Sequence, residues 1–314
     1  MKKGLLLILV ASLGLAACNN FEKAPAGTLY KIHKSGGKEK IKVGDFVKFS
    51  MVQTTDYDSL MYSSYDSEQP IVFQTQEKLY AGDMYDILTY FGEGDSVTFK
   101  VDLDSMAKYT KQPRQPEIKG KYFIFNVKVE KVLSKQANEA DSTFAQRASE
   151  FFQKDYMAAM EAKKNQEGAK IKSFVEENKL KTTTSASGLQ YVIENAGAAE
   201  KPAMGDTVYV NYTGRVTKKV KMDIFDTTDI KLANSGRNMQ PFQPAAPYGP
   251  RPLVIGEIIE GLNEGLMLLG KGAKAKFIIP SSLAYGDQGA RPYIAPYTPL
   301  VFEIEVTDIK KKVN

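Results

Sequence analysis

From Leu253 to Val306 the chain reads LVIGEIIEGLNEGLMLLGKGAKAKFIIPSSLAYGDQGARPYIAPYTPLVFEIEV. Ile258, Ile259, Leu262, Leu266 and Leu269 recur at helical spacing, with Gly261 and Gly265 placed where a neighbour must come close. Ala275–Ile279 and Leu300–Val306 are short apolar or alternating runs bounded by Gly and Pro, which is the pattern of strands. Between them come Ala284-Tyr285-Gly286 and a Gly/Pro-rich loop carrying Tyr293 and Ile294. A short helix held against a sheet, beside a long aromatic loop, encloses an apolar pocket with very few ionisable groups.

That order of residues resembles the FKBP-type peptidyl-prolyl isomerases. Ile258-Ile259-Glu260-Gly261-Leu262 stands where that family has its Val-Ile-x-Gly-Trp pocket floor. Leu283-Ala284-Tyr285-Gly286, Ile294-x-Pro296 and Leu300-Val301-Phe302 match its later signatures, and Val210-Asn211-Tyr212-Thr213-Gly214 and Phe225-Asp226 match its first two. The resemblance implies an α+β fold, an antiparallel sheet wrapped on a short helix, over residues 181–314. It implies walls of Tyr212, Phe225, Ile258, Ile259, Leu262, Ile294 and Phe302. Its catalytic candidates are Tyr285, whose hydroxyl would donate to a substrate carbonyl, Tyr212, and Asp226, hydrogen-bonded to Tyr212 or facing the twisting amide. Taken singly, Tyr212, Ile259 and Phe302 suit an ordinary core, and Asp226 suits a turn at Asp226-Thr227-Thr228-Asp229.

This composition fits the chemistry that the resemblance implies. Rotation about an X-Pro bond needs no nucleophile, metal or net proton transfer; resonance sets the barrier, about 18–20 kcal/mol for an ordinary peptide bond. An apolar pocket lowers it by stripping water from the imide and holding the prolyl ring twisted. The sequence departs from the family at three places. Leu262 replaces the floor tryptophan, giving up aromatic area and an indole donor. Ala295 replaces the first proline of the Ile-Pro-Pro loop. An insert over 227–251, rich in Gly, Pro and Asn, reads either as loose decoration or as a flap bringing Phe242 or Tyr248 over the pocket. The insert obscures the family's remaining wall aromatic, for which Leu253 is the candidate.

The same grammar recurs upstream. Val43-Gly44-Asp45-Phe46-Val47-Lys48-Phe49 parallels Met204-Gly205-Asp206-Thr207-Val208-Tyr209-Val210, and Gly92 to Phe99 parallels Gly270 to Phe277. Leu29-Tyr30-Lys31-Ile32 parallels Leu189-Gln190-Tyr191-Val192, Pro70 to Phe73 parallels Pro252 to Ile255, and Phe123 to Val129 parallels the closing strand. An internal repeat of this size predicts two FKBP-like domains, a degenerate one over 27–135 and the intact one over 181–314. In the first copy Met51 stands for Tyr212, and Met61-Tyr62 stands for Phe225-Asp226. Asp83 aligns with Leu262, and nothing matches Ala284-Tyr285-Gly286. A carboxylate on an apolar floor is costly to bury unpaired, so this copy reads as a scaffold without an isomerase pocket.

Residues 136–180 form a helical linker. Asp141-Ser142-Thr143 suits a cap, and Phe144, Ala148, Phe151, Phe152, Tyr156, Ala159 and Met160 recur at helical spacing up to Gly168. A second set of turns holds Ile171, Phe174 and Val175. The passage from Asn165 to Tyr191 is similar to the linker of macrophage-infectivity-potentiator-type envelope isomerases, in which helices dimerise. Two readings stand side by side, homodimerisation through this helix and packing of its stripe on its own domains.

At the start, Lys2-Lys3, the apolar run Leu5–Leu15 and Leu15-Ala16-Ala17-Cys18 form a signal segment. Leu-Ala-Ala-Cys resembles a bacterial lipobox, which implies acylation of Cys18, a polar tether over 19–26 and anchoring in the cell envelope. Asn19-Asn20 lacks the Asp that marks inner-membrane retention in some bacteria, which points to the outer membrane, periplasm- or surface-facing. Cys18 and His33 are the one cysteine and the one histidine of 314 residues. Zinc, Ser-His-Asp and Cys-His chemistries therefore lack residues, no disulfide is available, and no cofactor is called for. A net charge of +5, spread over mixed-sign faces, speaks against nucleic acid. Two functions follow as expectations: an isomerase acting on unfolded, proline-containing exported polypeptides, or a non-catalytic FKBP-like chaperone or binding lipoprotein.

Overall fold

The computed structural model describes residues 21–65, 68, 70–114, 118–217, 223–240 and 242–312. The signal segment and the lipidation reading of Cys18 lie outside them. The described residues divide into two compact units, one drawn from the ranges 21–62 and 72–134, the other from 63–71 and 135–312. No helix among the described residues is long and apolar enough to cross a membrane.

The first sheet contains β1 (Glu22–Lys23), β2 (Leu29–Lys34), β3 (Phe46–Thr55), β4 (Leu60–Ser63), β5 (Ile71–Gln74), β6 (Ser96–Asp102) and β7 (Tyr122–Leu133). Helix α1 (Met84–Leu88) precedes β6, and α2 (Leu103–Thr110) follows it. The strand order is β1-β2-β6-β7-β3-β4, with β5 against β3. Strand β7 shows why: Phe123, Phe125, Val127 and Val129 alternate inward while Asn126 and Glu130 face water.

The long helix α3 (Asp141–Glu177) comes next in sequence. The second sheet then contains β8 (Thr183–Thr184), β9 (Gln190–Asn195), β10 (Thr207–Val216), β11 (Ile224–Thr227), β12 (Arg251–Val254), β13 (Lys274–Ile279) and β14 (Leu300–Lys310). Short helices α4 (Ile230–Ala233) and α5 (Glu260–Leu266) precede β12 and β13 respectively. The order, read from the other edge, is β8-β9-β13-β14-β10-β11, with β12 against β10. Strand for strand, this is the path of the first sheet. Even the bulges agree: register shifts between Lys48 and Phe49 in β3 and between Tyr209 and Val210 in β10, at matched positions of the repeat.

Helix α5 lies directly on β13 because two of its residues have no side chain. A Cβ on Gly261 would stand 2.3 Å from Ile279 Cγ2, and one on Gly265 would stand 2.7 Å from the Phe277 ring. Leu266, Phe277 and Ile279 are fully buried in this core, each stabilising the fold by about 1.5–3 kcal/mol. On the opposite face of the sheet, Ile171 of α3 packs on Ile278 and Val301, flanked by Phe174 and Leu180.

The structure corrects the sequence reading at five points. Glu22 and Lys23 pair with Tyr30 and Leu29, so the sheet begins inside the stretch read as tether. In sheet register Tyr30 opposes Phe99 as Tyr191 opposes Phe277, which moves the Leu29–Ile32 alignment by one residue. Asp83 is the N-cap of α1 and accepts from the amides of Asp86, Leu79 and Tyr80, so its buried carboxylate is satisfied. As helix N-cap, its counterpart is Ile259 of α5. Helix α3 runs unbroken through Gly168, whose missing side chain faces open space; a glycine costs only about 1 kcal/mol there. Its N-cap is Ala140, with no side-chain cap, and the Glu139 carboxylate instead clamps Arg147 at 2.9 and 2.8 Å.

Candidate active site

Strand alternation aims Tyr212 and Gly214 of β10 at the α5 side of the second sheet. Gly214 matters for what it lacks. A Cβ there would meet the Phe225 ring at 2.6 Å and Phe302 at 3.1 Å. Its absence lets Phe225 of β11 and Phe302 of β14 pack edge to face, with centroids 5.6 Å apart at 78°. Tyr212 leans on Phe302 at 5.9 Å. The opposite side comes from Ile258, the N-cap Ile259 and Leu262 of α5, and Tyr285 stands on the loop after β13. Together with Asp226, Leu253, Glu257 and Ile304 these residues border a cleft of about 490 Å³.

At one edge of the cleft lies a three-membered polar network. Tyr212 Oη donates to Asp226 Oδ2, and Arg251 Nη1 donates to both Tyr212 Oη and Asp226 Oδ2, the latter at 2.8 Å. The guanidinium also lies over the Tyr212 ring, 5.2 Å from its centroid. The Tyr212 backbone is pinned by Thr228, which accepts its N–H through Oγ1 and donates to its carbonyl. Burial, reinforced by the Asp226 carboxylate, pushes the Tyr212 hydroxyl far above the usual tyrosine range. Burial and then Asp226 do the same, less strongly, to Tyr285.

The two tyrosines therefore differ in role. The Tyr212 hydroxyl is engaged on both sides, by Asp226 and Arg251, which makes the residue a wall with an ordered rim. Tyr285 is 38% exposed. Its hydroxyl has no hydrogen-bond partner among the described residues, so it is free to donate.

Most of the sequence-derived site assembles here: Tyr212, Phe225, Asp226, Ile258, Ile259, Leu262, Tyr285 and Phe302 all border the cleft, as does Leu253. Ile294 does not. A bridge pairs it with Ala290 through hydrogen bonds of 2.8 Å each way, and its side chain is buried in the core behind the loop. The insert over 227–251 is neither loose nor a flap. Asp229 caps α4, Arg237 grips Asp223 at 2.8 and 2.6 Å, Met239 N–H donates to Ile224, and Gly249 N–H donates to Thr228. Phe242 and Tyr248 stack on each other, 6.2 Å apart, and neither borders the cleft. Arg251 escaped the sequence reading. Period-two alternation from Leu253 along β12 was the available signal, since residues two apart share a face.

A second groove, of about 320 Å³, crosses the polar face of the same sheet. Lys274 pairs with Glu305 at 3.2 Å and Lys276 with Glu303 at 3.0 Å along it, and none of the aromatic wall residues Phe225, Tyr285 and Phe302 borders it. No group of His, Cys, Asp and Glu among the described residues is placed to hold a metal ion.

With this geometry in hand, the kinship is decided by one match: residues 198–307 fit the profile of the FKBP-type peptidyl-prolyl cis-trans isomerase family. The C-terminal domain belongs to that family. The FKBP-type domain has named relatives. The chain is 34% identical to a probable FKBP-type peptidyl-prolyl cis-trans isomerase FkpA of Neisseria meningitidis, covering 59% of this chain and 61% of that protein. It is 32% identical to an outer membrane protein MIP of Legionella longbeachae, covering 51% and 63% respectively. The crystal structure of FkpA from Escherichia coli aligns with a TM-score of 0.42 and 31% identity, covering 56% of this chain and 76% of that one. The chain thus spans about three-fifths of the length of these curated relatives.

Proposed function

We propose that the protein is a peptidyl-prolyl cis-trans isomerase that assists the folding of exported, proline-containing polypeptides in the cell envelope. The observation that carries this reading is an apolar cleft in which the Tyr285 hydroxyl, unlike that of Tyr212, has no hydrogen-bond partner among the described residues. A prolyl ring seated against Phe225, Phe302, Ile259 and Leu262 leaves water behind. The planar imide, with its greater charge separation, loses more solvation than the twisted state, so the barrier falls. Tyr285 donates to a carbonyl flanking the bond and holds it while the rest of the peptide rotates. The Asp226–Arg251–Tyr212 network keeps the rim ordered, and within it the Asp226 and Arg251 charges offset each other.

The names of the relatives support an envelope location, and the sequence at Cys18 supports a lipid anchor there. The exposed Phe151, Tyr156 and Met157 on α3 are the residues through which a homodimer would form. The test is cis/trans exchange of an X-Pro peptide, followed by NMR with the whole mature chain. Exchange well above the buffer rate supports the proposal. Exchange at the buffer rate, combined with suppression of aggregation of a proline-free client, would instead establish a non-catalytic chaperone.

A further inference from the structure

Tyr285 is carried by a loop, and a loop donor is only as well placed as its supports. The main supports converge on Ser281, which opens the 3-10 turn Ser281–Leu283 and is 3% exposed. Its carbonyl accepts the N–H of Ala284 at 2.9 Å and of Gly286 at 2.8 Å, the two residues flanking Tyr285. Its own N–H and Oγ–H both donate outward, to Glu167 Oε1 at 2.5 Å and Oε2 at 2.8 Å. Glu167 belongs to α3, more than a hundred residues earlier in the chain. It sits one helical turn before Ile171, on the face that packs against Ile278 and Val301. Both oxygens of one carboxylate thus tie the helix to the turn that aims the tyrosine, by charge-assisted hydrogen bonds of the stronger kind.

Resting on the isomerase reading above, we infer that Glu167 is a positioning residue for Tyr285: the linker helix sets the donor side of the cleft. It touches no substrate. Its effect passes through Ser281 to the backbone on either side of Tyr285. The FKBP-type domain therefore depends on its linker for a fully placed donor. That dependence predicts a smaller effect for Ser281→Ala, which removes one of the two bonds, than for Glu167→Ala, which removes both.

The test uses the whole mature chain. Glu167→Ala is expected to lower kcat/KM for an X-Pro peptide about tenfold, Glu167→Gln and Ser281→Ala about threefold, with an unchanged circular dichroism spectrum. In a Tyr285→Phe background, Glu167→Ala should cost less than about twofold, because coupled residues are not additive. The Tyr285 ring resonances, assigned by their loss in Tyr285→Phe, should shift in Glu167→Ala. Equal losses with and without the Tyr285 hydroxyl, or unmoved ring resonances in Glu167→Gln and Glu167→Ala alike, would overturn the inference. Should the wild-type chain prove no faster than buffer, the isomerase proposal falls, and the ring resonances alone still decide whether Glu167 positions Tyr285.

Discussion

At the position of Gly214 in the second sheet, the first sheet carries Gln53. Each stands opposite a phenylalanine of the closing strand, Phe302 in one and Phe125 in the other. Around Gly214 the rings tilt edge to face and leave a cleft. Phe125 instead stacks on Phe99, with centroids 5.0 Å apart and planes at 14°. The substitutions continue around the site. Met51 replaces Tyr212, the N-cap Asp83 stands where α5 has Ile259, and helix α2, capped by Asp102, fills the stretch that carries Tyr285 in the other copy. All strand pairings survive these changes. The frame depends on alternating apolar residues and the bulge, whereas the cleft depends on a handful of side chains that the frame does not need.

The sharpest way to break this contrast is to silence the second sheet and look for activity in the first. Asp226→Ala with Tyr285→Phe should bring exchange of an X-Pro peptide down to the uncatalysed rate. Residual catalysis that also survives filling the cleft with Gly214→Gln would show that residues 22–134 work as well. Next in size is Gly214→Gln, which copies the first sheet into the second. The side chain must displace Phe225 or Phe302, costing about 1–3 kcal/mol in denaturant-induced unfolding and roughly a hundredfold in kcat/KM as the walls misalign. Arg251→Met is milder. Its ion pair with Asp226 is partly exposed, and such pairs are worth about 0–1 kcal/mol, so kcat/KM should fall only about two- to fivefold.

The smallest effect concerns pH. Tyr212 and Tyr285 have pKa values raised by burial and by Asp226. A raised value means that the neutral hydroxyl's contribution to stability is complete below the unfolded tyrosine value. It is lost only as pH climbs through the folded one. Catalysis should therefore be flat from about pH 6 to pH 9, with no loss from tyrosine ionisation below about pH 10. A descending limb centred well below that value, removed by Tyr285→Phe, would show that Tyr285 is not shielded.

What was legible in the sequence followed from local rules. Alternation in β7 and β14, the helical spacing of Leu262 and Leu266, and the close-approach glycines Gly261 and Gly265 each depend on near neighbours. So did most of the cleft, because its residues come as ordered motifs. The losses were non-local. Arg251 reaches Tyr212 and Asp226 only once β12 pairs with β10, and Ile294 turns inward because of a bridge to Ala290. The insert is held by Arg237 on Asp223, a pair whose partners are separated by β11. Asp83 was misplaced because a carboxylate on an apolar floor and a helix cap look alike until the amides of Leu79, Tyr80 and Asp86 are seen around it.

The shared bulge gives each closing strand a spare position. Its extra residue is Thr307 of β14, between Val306 opposite Val210 and Asp308 opposite Tyr209. In the first copy it is Glu130 of β7, between Val129 opposite Phe49 and Lys131 opposite Lys48. A deletion of Thr307 or Glu130 would therefore remove only the unpaired residue and keep the pairings on both sides of it. Tyr212 and Met51 would stay on the faces they now occupy, whereas loss of a paired neighbour would force one strand to slip.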